Sequence, residues 1–182
     1  MNNENKRTIS ATKANILAIV SFPIFLLPLI PFYYLWDFPD KATFISILKE
    51  NPSYLIIFLT SIIGSVVIHE FIHMYFFAKF AKGKWKNVKM GFMWKALTPY
   101  AHCSEPLTIH HYRIAVLMPL VILGIIPTFY SLITGNFYVL LYGIFLSNAA
   151  IGDIIIFILT LDKGKDLKVI DHPSECGFII ID

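Results

Sequence analysis

The chain has 182 residues, of which 57% are hydrophobic and 15% are charged. Soluble domains carry roughly 25% charged and about 45–50% apolar residues, so this composition excludes an ordinary water-soluble domain and predicts a protein of the lipid bilayer. The net charge is +3, and the basic residues concentrate in one loop, which argues against nucleic-acid binding. Cys103 and Cys176 form no CxxC pair, so the sequence predicts neither a disulfide framework nor a cysteine-built zinc site.

Four segments are apolar and long enough to cross a bilayer, which takes about 17–25 residues. The sequence therefore predicts an all-α integral membrane protein with four transmembrane helices in a single domain over residues 1–182. Prolines in the first helix predict that it is kinked or irregular toward its end. The predicted helices cover about 14–36, 54–80, 114–134 and 137–161, and a C-terminal tail covers 162–182.

Between the second and third helices, apolar side chains alternate with polar or small ones. Val88, Met90 and Phe92 alternate with Lys89 and a glycine, and this period of two is typical of a strand. The pattern predicts a short cytoplasmic β-hairpin at about 85–105. A basic amphipathic loop resting on anionic headgroups explains the same residues equally well.

The distribution of lysine and arginine predicts the orientation of the helices. Three basic residues precede the first helix and six lie in the 81–113 segment, whereas the 37–53 segment contains two. Short loops rich in Lys and Arg favour the cytoplasmic side. We therefore expect both termini and the 81–113 segment to lie in the cytoplasm.

The second predicted helix contains the sequence His69-Glu70-Phe71-Ile72-His73. Positions i and i+4 of a helix share one face, so His69 and His73 can bind the same metal ion, with Glu70 placed to accept a proton from a metal-bound water. Ionisable side chains are costly at bilayer depth and point to a functional role. The motif predicts one zinc ion per chain and a zinc metalloendopeptidase with Glu70 as its catalytic residue.

A catalytic zinc site needs a third protein ligand. Among the other three predicted spans, only the fourth contains a carboxylate, that of Asp153, so Asp153 is the candidate for the third ligand. At about 1.5 Å per residue, His73 lies roughly 10 Å and His69 roughly 16 Å from the predicted end of their helix. By the same rise, Asp153 lies roughly 12 Å from the end of its own helix. The three side chains are therefore expected at one level of the bilayer.

Peptide hydrolysis also needs a hydrogen-bond donor for the oxyanion that develops in the transition state. Asn148, five residues before Asp153, and His102 are candidates for this contact or for a substrate contact. His110 and His111 are alternatives if the 81–113 segment folds over the site. Cys103 is a candidate gate or alternative metal ligand, and a simply buried thiol explains it as well.

These motifs resemble those of known membrane enzymes. His69-Glu70-x-x-His73 in one helix and Gly152-Asp153 in a later one are similar to the motifs of the site-2-type intramembrane zinc metalloproteases. More narrowly, the chain resembles a family of small bacterial membrane proteins grouped as zincin (HExxH) peptidases. That family also has a Cys-x-Glu-x-Leu-like stretch, here Cys103–Leu107, and a proline-bearing helix.

The resemblance implies zinc held by His69, His73 and Asp153, with Glu70 as the base, in the membrane of a bacterial cell. It also implies a hairpin that holds an extended substrate by strand addition. The sequence thus predicts a multi-pass zinc metallopeptidase in which Glu70 activates a zinc-bound water to hydrolyse a peptide bond in or next to the bilayer. The predicted substrate is a membrane protein or a membrane-bound peptide.

A non-catalytic membrane metal-binding protein is the alternative: a zinc carrier, a sensor or an inactive scaffold. A carrier needs ligands spread along a pathway, whereas this chain has them at one level. Glu70 also has no function in a carrier that already has three zinc ligands, so the residue pattern favours the enzyme.

Overall fold

A computed structural model describes residues 5–36, 38–40, 45–46, 49–94, 97–173 and 175–181. Within these ranges, the longer helical stretches follow the predicted spans. These stretches consist of α1 (Ala11–Phe25), α2 (Leu29–Leu35), α3 (Ser53–Phe80), α4 (Ile109–Pro119), a π-helical segment (Leu120–Ile125), α5 (Ile126–Thr134), α6 (Phe137–Ala149) and α7 (Ile151–Ile158).

Three helical stretches are long and apolar enough to cross a membrane, and a bent pair brings the number to four if it counts as one span. Their apolar side chains face outward to a large extent: Ile19 is 76% exposed and Ile63 is 68% exposed. An outward apolar surface of this length is compatible with a lipid environment. The three stretches are Ala11–Leu35, Ser53–Phe80 and Ile109–Thr134.

The first and third of these stretches are irregular where prolines occur. The first is interrupted by a turn between α1 and α2, which agrees with the predicted irregularity. In the third, the ring of Pro127 is sterically incompatible with a regular turn at residue 123, and the chain widens into the π-helical segment just before it. The side chain of Thr128 donates to the carbonyl of Gly124 at 2.8 Å within this region.

The third helix begins at residue 109 rather than at the predicted 114. Thr108 caps it, because its side-chain oxygen accepts a hydrogen bond from the backbone N–H of His111 at 3.4 Å. The first turn is polar, so the apolar pattern alone placed the helix start too late.

The fourth predicted helix is divided in two. Helices α6 and α7 meet at Ala150 with a bend of 48°. The predicted continuous helix over 137–161 therefore does not form. The break contains no proline and has no strong sequence signal. Its consequence is that Asp153 lies in the first turn of a new helix, α7.

The strands form a hairpin and a four-stranded antiparallel sheet. The hairpin pairs β2 (Val88–Met93) with β3 (Thr98–Cys103), which confirms the hairpin predicted at 85–105. The all-α prediction is incomplete, because the tail predicted over 162–182 forms strands of the second sheet. That sheet has the order β1-β6-β5-β4, with β1 (Lys6–Ile9), β4 (Leu107–Thr108), β5 (Lys168–Asp171) and β6 (Cys176–Ile181).

The four-stranded sheet joins both ends of the described chain to the segment that precedes α4. It therefore places these three parts on one side of the helices. A core of buried side chains connects the sheet to the ends of α3 and α4, and its largest members are Phe77, Ile109, Tyr112, Val169 and Phe178.

Gly177 provides a test of the terminal sheet. Its φ is +136°, and a Cβ at this position would lie 2.2 Å from the backbone oxygen of Arg7 on β1. We expect Gly177→Ala to lower the free energy of unfolding by about 1–3 kcal/mol, because both the backbone conformation and the pairing of β1 with β6 are strained. Thermal unfolding of the purified protein in detergent measures the change. Gly164→Ala is the matched control, since no atom lies within 4 Å of a Cβ there; equal Tm values for the two variants contradict the sheet.

Candidate metal centre

Helix α3 places His69 and His73 one turn apart on the same face. Their Nε2 atoms lie 3.2 Å apart, so the two rings converge on one point rather than packing side by side. The ring centroids are 4.9 Å apart and the ring planes are nearly perpendicular, at 76°. This is the i, i+4 arrangement by which one helix presents two imidazoles to a single ion.

Asp153 reaches the same point from α7. Its Oδ2 lies 2.9 Å from Nε2 of His69, and its Oδ1 lies 3.2 Å from Nε2 of His73. The ligand atoms of the three residues all lie within 4.8 Å of one another. The three residues that the sequence singled out from two distant helices are therefore brought together.

The hydrogen bond made by His73 fixes which ring nitrogen is free to bind a metal. Nδ1 of His73 donates to the backbone carbonyl of Ala115 on α4 at 2.9 Å. Nδ1 therefore carries a proton, and Nε2 is the ring nitrogen directed at the cluster. Metal-binding histidines characteristically donate their other ring N–H to a carbonyl or carboxylate in this way.

Among the described residues, one oxygen of the Asp153 carboxylate lacks a well-aligned hydrogen bond. Its Oδ2 is buried, and no group in the described part of the chain gives it a well-aligned hydrogen bond, although Nε2 of His69 is close. Buried carboxylate oxygens without a donor are costly. Two imidazole nitrogens and a carboxylate form a donor set that fits zinc, and an ion there would satisfy all three groups.

Two contacts position α7 so that Asp153 reaches the histidines. Asp153 lies in the first turn of α7, where the free N–H groups of a helix stabilise a negative charge. At the other end, the guanidinium of Arg113 donates from Nε to Oγ1 of Thr160 at 2.8 Å and from Nη2 to the carbonyl of Lys163 at 3.1 Å. Arg113 thereby fixes the end of α7 against α4.

Glu70 lies beside the cluster without belonging to it. Its side chain is buried, with the residue 8% exposed, and it faces the backbone N–H of Ala101 on β3. The hairpin therefore covers the same face of α3 that carries the two histidines. Glu70 has the position expected of a proton acceptor next to a metal, close to the ligands but free of them.

A cavity of about 500 Å³ opens onto this cluster. It borders His69, Glu70, His73 and Asp153 on one side and the β3 strand on another. Further parts of the wall come from α1 and from β5, β6 and the segment that joins them. The cavity residues of these parts are Ala11, Ala14, Asn15, Ala18, Asp171, His172, Pro173, Glu175, Cys176 and Gly177.

The other predicted site residues lie elsewhere. Asn148 is not among the residues that line the cavity, and its Oδ1 is buried without a hydrogen-bond partner in the described part of the chain. Cys103 is fully buried in the core, its Sγ lies 3.6 Å from the carbonyl oxygen of Glu105, and burial raises the pKa of its thiol. Cys103 and His102 do not belong to the three-residue cluster found within the described ranges.

His102 instead contacts the C-terminal strands. Its Nδ1 donates to Oδ2 of Asp171 at 3.0 Å. The ring of His111 also lies outside the cluster and stacks on Phe80, with the ring centroids 4.3 Å apart. His102, His110 and His111 thus lie outside the three-residue cluster of the described residues.

Two residues that line the cavity were missed by the sequence reasoning, Tyr112 and Asp171. The hydroxyl of Tyr112 donates to Oδ1 of Asp171 at 2.9 Å and also lies 3.2 Å from the carbonyl of Gly177. A carboxylate at the end of the otherwise apolar Val169-Ile170 stretch was the available signal for Asp171. Nothing local in the sequence marks Tyr112 or the carbonyl of Ala115.

Comparison with known proteins gives one match. A family model described as "Putative zincin peptidase" matches residues 62–167, more than half of the chain. The matched range contains both histidines, Glu70 and Asp153. No curated protein and no solved structure matches the chain.

The metal content of the purified protein tests the cluster directly. We expect about one zinc ion per chain in the wild type, and loss of most of it in His69→Ala and in Asp153→Ala, because each change removes one of three protein ligands. Inductively coupled plasma mass spectrometry after desalting measures the ratio.

His111→Ala is the matched control, since it removes an imidazole that stacks on Phe80 outside the cluster. Full zinc in Asp153→Ala contradicts the assignment of Asp153. A wild type without metal after purification in zinc-containing buffer contradicts the whole centre.

Proposed function

The chain belongs to this zincin peptidase family, and we propose that it is a zinc-dependent metallopeptidase that hydrolyses a peptide bond within or next to a lipid bilayer. We assign it a mechanism similar to that of the site-2-type enzymes, with an HExxH helix and a carboxylate from a later helix. Its substrate in this proposal is a membrane protein or a membrane-bound peptide. The proposed location is the bacterial cell membrane, with both termini in the cytoplasm.

The observation that carries the proposal is the position of Glu70. It is a buried carboxylate on the wall of the same cavity as the His69–His73–Asp153 cluster, yet it is not one of the clustered groups. A protein that only binds or carries a metal needs the ligands but not a second buried carboxylate beside them. Burying that carboxylate is costly, and proton transfer during hydrolysis gives it a function.

A zinc ion held by His69, His73 and Asp153 would lower the pKa of a water toward about 7 and polarise the peptide carbonyl. Glu70 accepts the proton of the attacking water and afterwards donates it to the leaving amine. The Nδ1–H of His73 keeps its hydrogen bond to the carbonyl of Ala115 throughout, which holds the ring in orientation.

The hairpin supports an extended substrate. Neighbouring antiparallel strands exchange hydrogen bonds at alternate residues. The N–H of Ala101 faces Glu70 rather than β2, so Pro99 and Cys103, two residues away on either side, share its outward orientation. A proline at an outward position costs no hydrogen bond of the hairpin. The N–H groups of Ala101 and Cys103 are directed at Glu70 and Asp171. In this proposal, a peptide strand therefore pairs with β3 by donating its own N–H groups to the outward carbonyls of the strand, which sets the peptide beside Glu70.

The cavity also explains how water and a peptide reach a site between apolar helices. It extends from Asp153 to the polar side chains of Asp171, His172 and Glu175. These three residues belong to the C-terminal strands and their connection, outside the helices that are candidates to span a membrane. These polar side chains give water a route to the cluster from outside the helices.

Glu70→Gln separates catalysis from metal binding. The amide keeps the size of the side chain but cannot accept a proton, so we expect hydrolysis to fall by about 10²–10⁴-fold while the zinc content stays at the wild-type value. The protein is reconstituted in liposomes with a set of synthetic single-span membrane peptides, and new peptide termini are measured by mass spectrometry. Glu50→Gln, an exposed residue before α3, is the matched control.

Two further measurements show whether cleavage depends on the metal and on Glu70. Addition of 1,10-phenanthroline should stop cleavage, and added zinc should restore it. Equal cleavage by Glu70→Gln and the wild type contradicts the assigned role of Glu70. A wild type that holds zinc and cleaves none of the peptides, while a reference membrane protease does, favours the non-catalytic metal-binding protein.

A further inference from the structure

Asp171 connects three separate parts of the molecule around the cavity. Its Oδ2 accepts a hydrogen bond from Nδ1 of His102 at 3.0 Å, and its Oδ1 accepts one from the hydroxyl of Tyr112 at 2.9 Å. The backbone N–H of Cys103 also donates to this carboxylate. Asp171 lies at the end of β5, so one side chain joins β3, α4 and the C-terminal strands.

The carboxylate is held in a place where its charge is costly. Its side chain is 12% exposed, and burial raises the pKa of Asp171, while the hydrogen bonds from His102 and Tyr112 oppose that rise. Burying a carboxylate costs free energy, and three hydrogen-bond donors converge on this one. Such a network fixes the relative positions of the parts of the chain that it joins.

The geometry that they fix is that of the outward edge of β3. The N–H groups of Ala101 and Cys103 point the same way, one toward Glu70 and the next toward Asp171. Two carboxylates from different parts of the chain therefore hold consecutive outward positions of this strand. A two-stranded hairpin is marginally stable by itself, so its register against α3 depends on such anchors.

We propose that Asp171 is a positioning residue, which sets the outward edge of β3 at the correct distance from Glu70 and the His69–His73–Asp153 cluster. An extended peptide that pairs with β3 then has its carbonyl in register with the reacting groups. Asp171 acts through His102, Cys103 and Tyr112 and has no contact with the metal ligands in this role. The inference rests on the proposed function and adds a residue that positions its substrate-binding strand.

Asp171→Asn tests this role with little change in size. An asparagine side chain has no negative charge and keeps one acceptor oxygen, so the groups that donate to the carboxylate, from His102, Tyr112 and the N–H of Cys103, compete for that single oxygen. We expect kcat/KM for a cleaved peptide to fall by about tenfold or more, with KM raised because pairing with β3 is weakened and kcat lowered because the carbonyl is moved out of register with the reacting groups. The zinc content should not change.

Hydrogen–deuterium exchange gives a readout that does not depend on activity. We expect faster exchange in Asp171→Asn at residues 98–103, with unchanged exchange across 69–73. Asp166→Asn, an exposed aspartate on the same C-terminal segment, is the matched control and should behave as the wild type. His102→Ala should reproduce the effect in part, and His102→Asn should reverse it, because its amide N–H takes the place of Nδ1–H.

The outcomes separate the two proposals. Wild-type kcat/KM and wild-type exchange in Asp171→Asn overturn the positioning role. Loss of zinc together with faster exchange in α3 also overturns it, since Asp171 then only stabilises the fold. If the wild type holds zinc but cleaves nothing, the proposed function fails by itself, and exchange at 98–103 still decides the role of Asp171. If Asp171→Asn does not fold, the His102→Ala and His102→Asn pair decides it.

Discussion

The central constraint in this molecule is the convergence of two imidazole nitrogens and a carboxylate between apolar helices. His69 and Asp153 meet at 2.9 Å, and His73 completes the cluster with its ring orientation fixed by the carbonyl of Ala115. Ionisable groups buried this closely are costly unless a shared proton or a bound cation offsets the cost. Helices α3, α4 and α7 are held in the one arrangement that brings these atoms together, and the bend before α7 is part of that arrangement.

The small β-structures supply what the apolar helices lack. A helix in an apolar environment uses its own backbone groups internally and offers no free edge to a peptide. Strand β3 offers such an edge, and it lies directly over the face of α3 that carries Glu70. The terminal sheet adds polar side chains to the opposite wall of the cavity. The helices thus hold the reacting groups, while the strands form the surface on which we propose that a substrate lies.

Much of the cluster was predictable because it follows local or compositional rules. The pairing of His69 with His73 follows from the helical period, and Asp153 stood out because ionisable residues are rare in apolar spans. The hairpin followed from the alternation around Val88. These are features in which a few neighbouring residues, or the scarcity of a residue type, determine the outcome.

The remaining features depend on contacts between distant parts of the chain. Strands β1 and β6 pair residues separated by more than 160 positions, as in Thr8 with Gly177, and strands this short have no reliable local signal. The bend at Ala150 contains no proline. Asp171 contacts His102 and Tyr112 because β5 lies beside β3 and α4. The residues next to Asp171 in the sequence do not indicate these contacts.

The pairing of β1 with β6 has a consequence for the order of events during synthesis. The HExxH helix is complete roughly a hundred residues before β6 emerges from the ribosome. The helix is therefore synthesised before the part of the cavity wall that β6 supplies. At synthesis rates of about 5–20 residues per second, a nascent chain spends several seconds with His69, Glu70 and His73 already made and the 171–177 wall still missing. Under our proposals, hydrolytic competence is therefore acquired late, after most of the chain has been made.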